Sequence, residues 1–270
     1  MHSSINYVPC NQKTAVVLYS GGKGSFMAAY LAKQIYGKVI LYFNDTKTED
    51  ADLYRFLRET VAWLDLPLVE DSLGLDIWEV FEKAKFVGNS RIDVCSKLLK
   101  RKRSEKWIKN NFPDPTTVDV IVGLGVFEQH RVDKARPRWL PYNLVAPLFD
   151  AMVDELDFFN QLCSESTIAQ PRLYDLGFHH NNCGGFCVKA GLAQFKMLYE
   201  KLPEVYLYHE QKQENLMVKV PNVKPFLKKQ IKNKTIYLTL KQYREQYLDV
   251  KQLEMDYDMV YDFGGCGCAL

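Results

Sequence analysis

The stretch from Thr14 to Ile35 constrains this chain more than any other. An apolar run, Thr14 to Tyr19, stops at Ser20-Gly-Gly-Lys-Gly-Ser25. It gives way at once to Phe26, Met27, Tyr30, Leu31 and Ile35, spaced for one helix face. A strand without polar alternation is buried on both faces, as in parallel sheets whose crossover helices cover both sides. Gly37 reads as the helix C-cap, and Lys38–Phe43 is a second buried strand. Asn44-Asp-Thr46 then leads into a helix from Glu49 to Trp63. Leu66–Val69 reads as a third strand, Asp76–Ala84 as a short helix, Asp93–Lys109 as a longer basic helix and Val118–Gly123 as a further strand. This alternation predicts an α/β fold with a doubly wound, mostly parallel sheet.

Past Pro141 the pattern changes. Helices are expected over 151–163 and 186–201, with a turn rich in glycine and cysteine, His179 to Cys187, ahead of the second. A strand is expected over Thr235–Leu240, and Phe263-Gly-Gly-Cys-Gly-Cys268 is too rich in glycine for a helix. The expected organisation is a nucleotide-binding domain over 1–150 and a helical, cysteine-bearing, substrate-side region over 151–270. Hydrophobic residues at 47% and charged residues at 25% exclude a disordered chain. No apolar run approaches a membrane span and no secretory core precedes Lys13, so a cytoplasmic protein without a membrane partner is expected. With 35 basic against 33 acidic residues, bulk charge gives no argument for nucleic acid. Two stretches depart from that balance: 97–109 and 224–241, the second interleaving Phe226, Tyr237 and Tyr243 with lysines. They read either as solvated amphipathic faces or as a nucleic-acid track.

Ser20, Gly21, Gly22, Lys23, Gly24 and Ser25 join a strand to a helix. Glycines let the backbone turn tightly, so that amides and the helix N-terminus point at an anion. Ser20 and Ser25 add hydroxyls and Lys23 adds charge. The loop fits neither G-x-x-x-x-G-K-[ST] nor G-x-G-x-x-G. Two glycines alone fit a plain βα turn equally well; the place after the first strand, at the expected reversal of strand order, favours phosphate.

The loop resembles the S-G-G-x-D-S loop of the PP-loop ATP pyrophosphatases. Three further segments resemble the branch holding the phosphoadenosine phosphosulfate reductases and the ATP pyrophosphatase of DNA phosphorothioation. These are Asn44-Asp-Thr-Lys-Thr-Glu49, Cys95-Ser-Lys-Leu-Leu-Lys100 (C-x-x-x-L-K) and Gly125 to Arg131. The resemblance covers the first 140 residues or so. It implies ATP and Mg²⁺ as cofactors, with Asp45 and Glu49 joining the loop in nucleotide binding. It implies catalytic roles for Lys23, Cys95, Lys100, Glu128 and Arg131. Helix capping accounts for Asp45 and Glu49 equally well, and Glu128 with Arg131 also reads as a surface pair. The chain departs from the family at Gly24, where an acid is common. That departure opens the reading of a nucleotide-binding protein with reduced turnover.

Seven cysteines without a secretory signal favour metal or sulfur chemistry over disulfides. Cys95 opens the basic helix, where a thiolate is favoured; a buried thiol beside a solvated face is the alternative. Cys183, Cys187, Cys266 and Cys268 read as one four-thiolate iron–sulfur or zinc site, as a redox or persulfide relay, or as structural thiols. Cys10 and Cys163 read as structural, and His179 and His180 either as ligands or, as is more common for a loop pair, as solvent-facing. The expected activity is an ATP pyrophosphatase that adenylates a nucleic acid, DNA foremost, for sulfur insertion, with a cysteine desulfurase partner. The alternative is a phosphoadenosine phosphosulfate reductase-like oxidoreductase.

Overall fold

In a computed structural model, residues 10–89, 91–231, 234–250 and 261–263 are described. Five strands form one parallel sheet in the order β3-β2-β1-β4-β5. They are β1 (Cys10–Leu18), β2 (Tyr36–Asp45), β3 (Leu68–Ser72), β4 (Val118–Ile121) and β5 (Asn143–Val145). The chain winds outward from β1 to β3, returns to the other side of β1 and continues to β5. The order therefore reverses between β1 and β4, which opens a crevice at their carboxyl ends.

Alternating side chains of β1 feed the two faces. Ala15 and Val17 pack with α1 (Lys23–Ile35), α2 (Ala51–Leu64) and α6 (Glu155–Ser166) through Phe26, Phe56 and Phe159. Val16 packs on the opposite face with Ile108, Val132 and Trp139, from α4 (94–111) and α5 (Gln129–Trp139). Both faces are covered, as the unbroken apolar runs required. A third cluster joins α3 (Ile77–Ala84) and the start of α4 to α7 (Leu192–Lys201), α8 (Pro203–Lys219) and the antiparallel hairpin β6 (Leu227–Ile231) and β7 (Lys234–Leu238). Among the described residues no helix is long and apolar enough to cross a membrane.

Several boundaries differ from the sequence reading. α1 ends at Ile35 and β2 starts at Tyr36, so Gly37 lies inside a strand and is no C-cap. Asp50 caps α2, its side chain accepting from the Asp52 amide at 2.9 Å, which frees Glu49 from that duty. α4 carries a π-helical turn at Lys97–Arg101. α7 starts at Leu192 because 183–191 is spent on turns.

Candidate functional site

The loop after β1 lies at the reversal of strand order. Gly21 adopts φ +72°, the left-handed region that glycine enters freely. Ser25, buried, donates its hydroxyl proton to the Gly22 carbonyl at 2.9 Å and faces the Gly22 amide and Ser20 Oγ at 3.3 Å each. Its hydroxyl braces the turn from inside. Gly24 backs onto Gly123 at the end of β4, where an added Cβ would stand 2.5 Å from the Gly123 carbonyl oxygen. A Cβ on Gly123 would collide in turn with the Gly24 backbone. Gly24 is thus fixed by a backbone-to-backbone approach, which supplies a packing reason for the absence of an acid there. Lys23 turns its ammonium toward the rings of Tyr174 and Phe159, at 4.2 and 4.8 Å from their centroids. Burial lowers its pKa, while Cys163 and Asp175 nearby oppose that shift.

A strap from Pro171 to Cys187 crosses over this loop and the end of β2. The Lys23 amide donates to the Tyr174 hydroxyl at 3.3 Å. Asn181, 1% exposed, donates Nδ2–H to the Gly21 carbonyl at 2.9 Å, and its Oδ1 finds no partner among the described residues. Arg172 grips Asp50 through two bonds of 2.8 and 2.7 Å. Gly184 approaches Thr48 so closely that a Cβ would lie 3.2 Å from its carbonyl oxygen.

Glu49 is the hub. Its side chain is fully buried and takes an ion pair from Lys100 at 3.2 Å, the Thr46 hydroxyl at 2.9 Å and the Cys183 amide at 2.5 Å. Lys100 also reaches Asn182 Oδ1 at 3.5 Å. The π-helical turn carries Lys100 there; such one-residue expansions recur at functional sites. Cys183 holds φ +53° and is followed by Gly184 at +58° and Gly185 at +85°. A left-handed non-glycine residue costs on the order of 1–3 kcal/mol, so the Glu49 bond holds strained backbone in place. Cys95, Cys183 and Cys187 line one small cavity with Asp93, Phe186 and Lys189. Behind it Phe186 stacks on His209 at 3.8 Å, and Trp78 Nε1–H donates to His209 Nδ1 at 2.9 Å. Burial and then Lys212 lower the His209 pKa to about 3.

The remaining residues singled out in the sequence fall around this hub. Burial pushes the Asp45 carboxyl up, but hydrogen bonds from Lys47 and Tyr54 outweigh it and hold the pKa below its ordinary value. Glu128 pairs with Arg131 and accepts the Gly125 amide at 3.1 Å. Cys163 lies beside Lys23, burial raising its pKa and the lysine opposing. His179 meets the edge of Phe263, centroids 4.7 Å apart, and the His180 ring accepts from the Asn182 amide at 3.4 Å. Cys266 and Cys268 lie outside the described residues. Among the described residues no group of three or more His, Cys, Asp or Glu side chains is arranged to hold a metal ion. Tyr174, Asn181 and Glu155 escaped the sequence reading. Glu155 packs against Gly125, and burial, with Glu128 beside it, raises its pKa. Only the spacing of Asn181-Asn-Cys183 within the glycine-rich turn hinted at the strap.

A crevice beside the loop runs from Ser20 past Asn44 and Lys100 to Arg138 and Trp139. Asn44 Nδ2–H donates to Ser104 Oγ at 2.9 Å, and the Ser104 proton is spent on the Lys100 carbonyl. This orients the amide so that Oδ1 is left unpaired among the described residues.

No family model matches the chain, and no curated protein does. Among solved structures, it is similar to a phosphoadenylyl-sulfate reductase from Candida auris in complex with phosphate. The identity is 16% and the TM-score 0.40, over 60% of this chain and 78% of that one.

Proposed function

We infer that the chain is a PP-loop ATP pyrophosphatase that activates a nucleic acid, DNA foremost, for sulfur insertion. The observation that carries this reading is the meeting of Glu49, Lys100 and Cys183 beside a phosphate-type loop at the sheet's reversal point. In it, Ser20–Ser25 hold the phosphates of ATP by backbone amides and the helix N-terminus. An oxygen of a nucleic-acid phosphate attacks the α-phosphorus and expels pyrophosphate. The terminal sulfur of a cysteine persulfide, loaded by a cysteine desulfurase, then attacks the adenylated phosphorus and expels AMP. A second thiol breaks the resulting S–S bond, freeing the phosphorothioate and leaving a cysteine disulfide, which an external dithiol reduces. Lys100 supplies positive charge beside the transferring group, and the loop excludes disorder in the phosphates.

Mg²⁺ and a metal at the thiols belong to the same proposal. Asp45 and Glu49 spend their oxygens on protein donors, so either would have to exchange those partners to hold Mg²⁺. A four-thiolate site needs Cys266 and Cys268. Support for it is the docking of Asp262, whose carbonyl accepts the Ala193 amide at 2.9 Å, and of Phe263 on His179, a few residues before Cys266.

The second reading, a reductase acting on phosphoadenosine phosphosulfate, is favoured by the three thiols around one cavity. Pyrophosphate release from α-labelled ATP supports the first reading. Sulfite release from the sulfated nucleotide, without turnover of ATP, overturns it in favour of the second.

A further inference from the structure

We propose that the seam between α4 and α5 is a docking track for single-stranded nucleic acid, with Phe127 as the stacking platform at its upper end. This rests on the reading above for its purpose, though not for its geometry. Lys100, Arg101 and Arg103 of α4 are neutralised by Glu49, Asp93 and Asp71. Lys102, Lys106 and Lys109 stand three and four residues apart on its exposed side, and no ion pair to them is found among the described residues. Glu105, the sole acidic residue in the sequence of that helix, lies within the same stripe. It is consumed by Arg138 of α5 at 2.9 Å.

Arg138 fixes which face of α5 meets the seam. His130 and Lys134 stand eight and four residues before it, on that same face, and both are exposed. The lysine row of α4 and Lys134 of α5, with the His130 ring beyond it, therefore flank one salt bridge that has already removed the only carboxylate of α4. The seam leads into the crevice that ends at Ser20 of the phosphate loop. Phe127, 92% exposed, sits in the turn Val126–Glu128 that follows the end of β4, immediately before α5. A large apolar ring so open beside a cationic row suits an unpaired base, whose face stacks on an aromatic side chain while phosphates follow the lysines. A duplex hides its base faces and could use only the lysines.

The test is fluorescence anisotropy with labelled oligo(dT) at about 50 and about 200 mM salt. Lys102→Glu, Lys106→Glu and Lys109→Glu combined should weaken binding at least about tenfold and flatten the log–log salt slope by about 2. The milder triple glutamine variant should move both in the same direction and guards against misfolding. Phe127→Ala should weaken binding at least about fivefold with the slope unchanged. The proposal is overturned if the wild type does not bind at low salt, if the lysine variants match it, or if a duplex of equal length competes as well as the single strand. ATP titration of the same proteins separates the two claims. Retained ATP binding in the triple variants assigns the loss to the track. A wild type that binds oligo(dT) but not ATP keeps the track and removes the adenylation reading.

Discussion

Two glycine-bearing turns meet at this site, and they are held by opposite means. The loop at 20–25 is braced from within: Ser25 closes on Gly22, and the one left-handed residue, Gly21, is a glycine. The turn at 181–185 puts a cysteine in the left-handed region and is held from outside, by Glu49 on the Cys183 amide and by Thr48 against Gly184. A loop stabilised by its own short-range bonds keeps its shape wherever the rest of the chain goes. A strained turn keeps its shape only while its distant partners stay, so position and strain are set together by the fold.

The largest expected effect separates the two turns directly. Glu49→Ala removes the buried carboxylate that pairs with Lys100 and accepts the Cys183 amide, which should cost about 3–5 kcal/mol of unfolding free energy. A loss below about 1 kcal/mol in chemical denaturation would show that the strained turn needs no outside anchor. The loop, by contrast, breaks where its backbone packs tightest against the rest of the chain. Gly24→Ala drives a methyl into the Gly123 carbonyl and should cost about 1–3 kcal/mol and weaken nucleotide binding. Gly22→Ala, whose Cβ would meet the Tyr174 hydroxyl at 3.2 Å and Ser20 Oγ at 3.6 Å, both movable side-chain atoms, should cost less. Gly24→Asp should fare no better than alanine in pyrophosphate release, and a gain in turnover would contradict the packing account.

As the pH falls, acid should loosen the strap side first. His209, which backs Phe186, has its pKa lowered from 6.5 to about 3 in the folded protein. The unfolded chain takes up that proton first, so stability present above about pH 6.5 falls as the pH drops toward the folded value. By about pH 5 the loss should reach about 2 kcal/mol. His209→Phe should flatten that part of the profile; an unchanged slope would assign the acid sensitivity elsewhere. The smallest effect concerns strain alone. Cys183→Gly should be about 1 kcal/mol more stable than Cys183→Ala, because only glycine relaxes at φ +53°. Equal stabilities would mean that the turn carries no such strain.

The contrast also explains what the sequence made legible. Strands β1, β2 and β4 announced themselves because both faces of a central parallel strand must be apolar; β3, at the sheet edge and ending in Glu70-Asp-Ser72, was read two residues early. The loop was visible because its inner bracing, Ser25 on Gly22 with a left-handed Gly21, lies within six residues, although Gly123, Asn181 and Tyr174 that pack on it do not. β5 went unseen: Asn143–Val145 is three residues long and opens with a polar side chain. α8 was missed as well, since its buried face includes His209, Glu210 and Gln213 in place of an apolar stripe. Glu49 and Lys100 were named from motifs, but their pairing depends on a fold that brings together positions 51 apart. Asn181 and Tyr174 carried no pattern, because a polar residue in a loop reads the same whether it faces water or the Gly21 carbonyl.

The π-helical turn at Lys97–Arg101 has a consequence for register. It inserts one residue into the screw of α4, so the residues before and after it are out of phase by about 100°. That offset lets one helix serve two neighbours: Lys100 is turned inward to Glu49, and Lys102, Lys106 and Lys109 remain aligned along the outer seam. A substitution can remove one of these charges, but a single-residue deletion within 97–101 would rephase the helix and set the two sets of lysines in competition for one face. The α4 helix therefore behaves as a two-sided gear, in which one extra tooth sets how the interior is timed to the surface.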